Sequence, residues 1–164
     1  MKIKRNLLLI ISFAAVLLVS GCSKQMLVLV EKDEIVDTLN RLFINMDNLQ
    51  WDEVKELFTG EVMFSMGGEP VRQKSSAIIA AWDKGLKRLK AVHHLAGNYR
   101  VTVSGTEADA FCYGIASHYQ PNASGRNTRT FVGSYDFHLV KTGGVWKIDS
   151  FRFNLKYIEG NKSL

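Results

Sequence analysis

From Lys32 onward, the apolar positions Ile35, Val36, Leu39, Leu42, Phe43 and Met46 recur at offsets 0, 1, 4, 7, 8 and 11. That spacing puts them on one face of an amphipathic helix. A short second helix is expected over residues 51–58, closing at Thr59-Gly60, where glycine takes the left-handed cap. Residues 61–66 read as a strand ended by Gly67-Gly68 and Pro70. A third helix is expected from Ser75, as its N-cap, to Leu89, with Ile78, Ile79, Trp82, Leu86 and Leu89 on one face. After Lys90 the period changes to two. Strands are expected over 91–104, 107–120, 128–141 and 145–157, with tight-turn signals at Ser104-Gly105-Thr106 and Thr142-Gly143-Gly144 and a longer loop over 121–127. This order predicts an α+β domain: three N-terminal helices packed on the concave face of one curved, mainly antiparallel sheet. A sheet this long must curl, and the helices then cap a pocket.

The N-terminus changes the picture. Lys2, Lys4 and Arg5 precede residues 7–19, which are apolar apart from Ser12. The run is short for a bilayer span, which needs roughly 20 residues, but suits the apolar core of a signal peptide. It ends Val19-Ser20-Gly21-Cys22, which resembles the bacterial lipobox. That resemblance implies a signal peptide over 1–21 and lipidation of Cys22; residues 22–31 then read as a tether to a domain over 32–161. The protein is then expected in the bacterial cell envelope, held to a membrane through its N-terminal lipid and facing the periplasm or exterior. The competing expectation is an uncleaved anchor helix lengthened by Met26 to Val30.

Charge then excludes one class of partner. The whole chain of 164 residues carries a formal +5 and a pI near 9.2. Removing residues 1–21 removes three cations and no carboxylate, leaving 5 − 3 = +2. Such a balance gives no strong footprint for nucleic acid. Lys84, Lys87, Arg88 and Lys90 sit at the end of an expected helix, where they complement its dipole. Two cysteines, Cys22 and Cys112, make no disulfide scaffold, and Cys112 among alanines reads as packing. No P-loop, GxGxxG, HExxH or CxxC pattern occurs, and no cofactor is expected.

Candidate chemistry lies on the strands. In residues 107–120 the even positions are Ala108, Ala110, Cys112, Gly114, Ala116 and His118, whereas the odd ones include Phe111, Tyr113 and Ile115. One face is nearly bare until it reaches an imidazole, which means either close helix packing or empty space. His93 and His94 are adjacent on a strand and point to opposite faces, so at most one shares a pocket with His118. His138 reads as structural. Asp47 ends the first helix, where the negative end of the dipole disfavours a carboxylate and asks for a compensating partner. A pocket joining Asp47, one of the histidine pair and His118 holds an orienting carboxylate and two groups that titrate near neutrality. The same set could bind a divalent metal, but no close ligand spacing supports that.

The segment Phe43-Ile44-Asn45-Met46-Asp47-Asn48-Leu49-Gln50-Trp51 resembles the helix-to-helix turn of SnoaL-like proteins of the NTF2-like superfamily. So do His93-His94-Leu95-Ala96-Gly97-Asn98, Ala116-Ser117-His118-Tyr119 and Gly144-Val145-Trp146-Lys147-Ile148, in the same order. The resemblance implies a cone-shaped α+β barrel. Within that superfamily the catalytic pattern of scytalone dehydratase falls on Asp47, His94 and His118, which selects His94 over His93. The two tyrosines that activate the substrate carbonyl in that enzyme fall near Met46 and Met66, neither of which donates a hydrogen bond. Tyr99, Tyr113 or Tyr119 are the substitutes the sequence offers. Met46, Trp51, Met66 and Tyr113 are accordingly the expected substrate-binding residues, with Trp82 and Phe111 as walls or core.

Two functions are expected. One is a membrane-anchored domain that binds a small apolar or carbonyl-bearing molecule and performs cofactor-free lyase or isomerase chemistry through Asp47, His94 and His118. The other is a non-catalytic binding or assembly subunit that forms a homodimer through the bulky sheet face at Phe111, Tyr113 and Ile115.

Overall fold

A computed structural model describes the backbone of residues 2–121 and 124–164 and the side chains of residues 25–121 and 124–164. The first helix, α1 (Lys2–Asp47), includes residues 25–30, for which the sequence pattern offers no element beyond a tether. The signal-peptide and lipidation expectations for residues 1–21 and Cys22 concern side chains outside the described residues. From Ile35 the amphipathic stripe is buried: Ile35, Leu39 and Leu42 are wholly inaccessible, and Phe43 and Met46 nearly so. Each such side chain stabilises the fold by about 1.5–3 kcal/mol relative to exposure.

Next come α2 (Trp51–Glu56), β1 (Phe58–Ser65), β2 (Val71–Lys74) and α3 (Ser75–Leu86). The helix α2 is shorter than expected, and Thr59-Gly60 is part of β1 rather than a helix cap. The cause is tertiary. Ile148 N–H bonds the Leu57 carbonyl at 2.8 Å and Phe58 pairs with Ile148, so the chain is captured by a distant strand before the helix can continue. Ser75 is the first residue of α3 rather than its N-cap; Lys74 holds that position without a side-chain cap. The short strand β2, absent from the sequence reading, pairs with β1 across the Gly67-Gly68 turn.

Four long strands complete the chain: β3 (Ala91–Ser104), β4 (Glu107–Tyr119), β5 (Thr128–Thr142) and β6 (Val145–Gly160). Their bounds lie within three residues of those read from period two. The sheet order is β2-β1-β6-β5-β4-β3, antiparallel except for the β1–β6 pair. The sheet curves around the helices without closing, so the expected barrel is an open, six-stranded cone, in which β2 and β3 are the edges.

Irregularities in the ladders decide what faces inward. In β3 the register shifts between Gly97 and Arg100, with Asn98 at φ 57°. Before this bulge Val92, His94 and Ala96 turn to the core; after it Tyr99, Val101 and Val103 do. Tyr99 then donates its hydroxyl to Asn40 Oδ1 at 2.6 Å and fastens α1 to the sheet edge.

Candidate active site

The turn that carries Asp47 is closed by local hydrogen bonds. Gln50 N–H bonds the Asn45 carbonyl (2.9 Å) and Leu49 N–H bonds the Met46 carbonyl (3.1 Å), a Schellman closure of α1. Leu49 occupies the left-handed position of that closure at φ 55°, where glycine is the usual residue. Asp47 thus sits in the last turn, at the negative end of the helix dipole, largely buried.

The compensation comes from β3. The main-chain N–H of His94 donates to both carboxylate oxygens of Asp47, at 2.9 and 3.1 Å, and its ring Nδ1 lies 2.7 Å from Oδ1. A carboxylate only accepts, so Nδ1 carries a proton, and in the neutral ring the lone pair is on Nε2. The imidazole is held flat against Phe43, ring centres 5.4 Å apart. His93 leaves on the opposite side of the strand; its ring is exposed, with Nδ1 3.6 Å from the other Asp47 oxygen. Both histidines therefore approach the same carboxylate, but only His94 is enclosed.

His94 and His118 line one cavity of about 130 Å³ with Met46, Met66, Trp82, Leu86, Ala116, Phe131, Tyr135 and Phe153. A cavity of about this size holds a single benzene-like ring. His118 packs against Phe131, the rings tilted by 54° with centres 5.0 Å apart. Burial pushes its imidazole down to about 4, helped by the neighbouring His94 and by the positive charges of Arg129 and Arg88. At neutral pH it is an uncharged ring.

The bare face of β4 serves both purposes considered for it. Ala108, Ala110 and Cys112 are core positions, whereas Ala116 and His118 border the open volume. Burial lifts the Cys112 thiol to about 12, so it is inert packing. Between them Gly114 leaves room for the ring of Tyr135, whose edge occupies the place of a β-carbon. Gly133, opposite Gly114 in the ladder, likewise admits the ring of Phe153.

Two expected ligand contacts are corrected. Trp51 does not border the cavity; its indole N–H donates to Asp83 Oδ1 at 2.9 Å and joins α2 to α3. Tyr113 is on the outer sheet face, 46% exposed, with Lys156 Nζ 4.5 Å above its ring. Odd positions of β4 face away from the helices, and no bulge reverses them. Met46 and Met66 do border the cavity, Met46 buried and Met66 at its exposed rim. The phenol in the lining is Tyr135, which the sequence reading missed; the paired glycines of β4 and β5 were the signal for a ring lying across them. Burial, with Cys112 and Asp47 nearby, raises its hydroxyl well above the usual phenol range. His138, read as structural without a partner, bonds Asp149 Oδ1 at 2.6 Å, away from the cavity. Among the described residues no group of three or more His, Cys, Asp or Glu side chains is arranged to hold a metal ion.

Comparisons agree with this architecture. A Kribbella flavida protein, Kfla4162, superposes with a TM-score of 0.73 at 21% identity, over 79% of this chain and 93% of its own. A protein provisionally named scytalone dehydratase, from Novosphingobium aromaticivorans, gives 0.67 at 20% identity, over 81% and 89%. The hexachlorocyclohexane dehydrochlorinase LinA-type3 of Novosphingobium barchaimii gives 0.68 at 14% identity, over 83% and 93%. These likenesses establish the fold. No curated protein sequence matches the chain. The SnoaL-like domain family matches residues 28–152, most of the molecule, and the chain belongs to that family.

Proposed function

We propose that the cavity binds a small, single-ring or carbonyl-bearing molecule and moves a proton on it without a cofactor, as a lyase or isomerase. The observation that carries this reading is the 2.7 Å bond from His94 Nδ1 to Asp47, which leaves Nε2 as the basic atom of a ring that borders an apolar cavity. His94 takes the proton and Asp47 orients the imidazole and stabilises the imidazolium. His118, uncharged, is a hydrogen-bond donor to the oxygen on which charge develops rather than a charged acid. The Tyr135 phenol stands in for the two absent tyrosines. The structural likeness to LinA-type3 and to the provisionally named scytalone dehydratase favours elimination chemistry on a ring. Lipidation of Cys22 holds the domain to a membrane of the cell envelope.

The test uses 2-cyclohexenone in heavy water, with deuterium uptake beside the carbonyl followed by NMR. The wild-type chain exchanges faster than buffer, and His94→Ala returns the rate to the buffer value. Equal rates for the wild-type chain and buffer, with no movement of the His118 ring signals on adding the ketone, would overturn the reading.

A second reading rests on a separate observation. Leu95, Tyr113 and Ile115 are exposed on the outer sheet face and line a groove of about 390 Å³. An apolar surface of this kind suits a second copy of the chain in a homodimeric binding or assembly subunit. Native mass spectrometry of wild-type and Tyr113→Lys protein tests it; an unchanged monomer in both removes it.

A further inference from the structure

Between the apolar run of residues 7–19 and the folded domain lies a short stretch of α1 unlike the rest of the helix. Met26, Leu27, Val28, Leu29 and Val30 are 63, 64, 39, 62 and 48% exposed. Five successive helical residues at 100° each go round the whole circumference. This turn and a half therefore has no polar side to offer to water. It is followed at once by the domain. Glu31 accepts Lys141 Nζ through both oxygens at 2.7 Å and the Trp146 indole N–H at 2.7 Å, which clamps α1 to the β5–β6 hairpin. At that hairpin's turn Val145 is exposed as well.

We propose that residues 26–30 are a membrane collar: an apolar ring of α1 that sinks into the lipid interface and stands the domain upright on it. A second protein helix would cover a stripe, and a helix seam needs polar residues on its remaining sides. A ring apolar all round matches a solvent that surrounds it. Its five residues rise about 7.5 Å, within the roughly 5–10 Å to which interfacial helices bury. Cys22 lies four residues earlier, about 6 Å along the helix, so an acyl chain there delivers the collar to the surface. Of the three carboxylates that first follow the collar, Glu31 and Glu34 share Lys141 at 2.7 and 3.4 Å, which lessens their repulsion from anionic lipid, and the exposed Asp33 lies beside Lys32 in the chain. From Val30 to Asp47 the helix rises about 25 Å. The Asp47–His94 pair and its cavity then stand away from the bilayer, and their ligand arrives from the aqueous side.

This inference rests on the membrane attachment proposed above and not on the proton-transfer reading. The full chain, isolated from bacterial membranes, is reconstituted in phosphatidylethanolamine–phosphatidylglycerol vesicles with and without brominated acyl chains. Leu27→Trp and Leu29→Trp place an indole on opposite sides of the helix, and Lys90→Trp places one at the exposed residue just ahead of β3, on the far side of the Asp47–His94 contact from the collar. Emission added by each variant is read against the wild-type chain. Both collar indoles are expected to shift to the blue and lose emission in brominated vesicles, whereas Lys90→Trp does neither. Vesicles that float with the protein but quench none of the three overturn the collar and leave the anchor standing. A blue shift on one side only, without quenching, overturns it in favour of a protein contact. Protein that does not float with vesicles overturns collar and anchor together.

Discussion

Asp47 and His94 are joined by three contacts between 2.7 and 3.1 Å across a separation of 47 residues, and a single carboxylate holds both the main chain and the ring of the histidine. An asparagine at 47 still accepts the His94 main-chain N–H, but its amide presents a donor to Nδ1. The ring would switch tautomer and place its proton, not its lone pair, on Nε2. Asp47→Asn is therefore expected to lower deuterium exchange on 2-cyclohexenone by about 10²–10⁴-fold, with about 1–2 kcal/mol of lost stability in urea unfolding. A variant that exchanges as fast as wild type would remove Asp47 from the mechanism.

His118 makes stability depend on pH. Its folded value of about 4 lies below the ordinary 6.5, so between these the unfolded chain binds the proton and the folded chain does not. The folded state loses ground as pH falls from about 6.5 to about 4, and keeps it above 6.5. The ring is partly reached by solvent, so the loss is about 1–2 kcal/mol rather than the full value of the shift. Thermal melts across this window should fall less steeply for His118→Gln than for wild type. Parallel slopes would show that His118 titrates normally.

Leu49 holds a glycine position. A side chain in the left-handed region costs roughly 1–2 kcal/mol, and here it does so two residues after Asp47. Leu49→Gly is expected to relieve most of that strain and, after the entropy of a freer unfolded chain, to raise stability by about 0.5–1 kcal/mol. Urea unfolding checks it. A loss of stability would mean that the half-exposed leucine packs more usefully than its backbone suffers.

Gly114 and Tyr135 occupy one space. A β-carbon at 114 would overlap the Tyr135 ring, so Gly114→Ala should cost about 1–3 kcal/mol through overpacking. In a Tyr135→Ala background the same change should be nearly free. A coupling of about 1 kcal/mol or more in the four-member unfolding cycle is the expected result. Additive costs would place the ring elsewhere.

Much of this molecule was written in local order. The α1 stripe and the four long strands follow from side-chain periods of 3.6 and 2 over ten or more residues, and burial in the structure follows the same positions. Asp47 at a helix end foretold a partner because a carboxylate there is electrostatically uncomfortable. The resemblance to SnoaL-like proteins named His94, which strand parity could not choose over His93.

Other features had no local cause. Phe58 joins a strand because Ile148 pairs with it, 90 residues away, and β2 is four residues that acquire an edge only once β1 exists. Trp51 looked like a wall until Asp83 was set opposite its indole, and Tyr113 faces outward because the register of β4 leaves it no choice. Tyr135 enters the cavity only where two glycines meet on neighbouring strands. The sequence by itself determined which faces are apolar, because that depends on period alone. Only the tertiary structure decided which side chains share the cavity, because strand register, bulges and the capture of one segment by a distant one are properties of the assembled sheet.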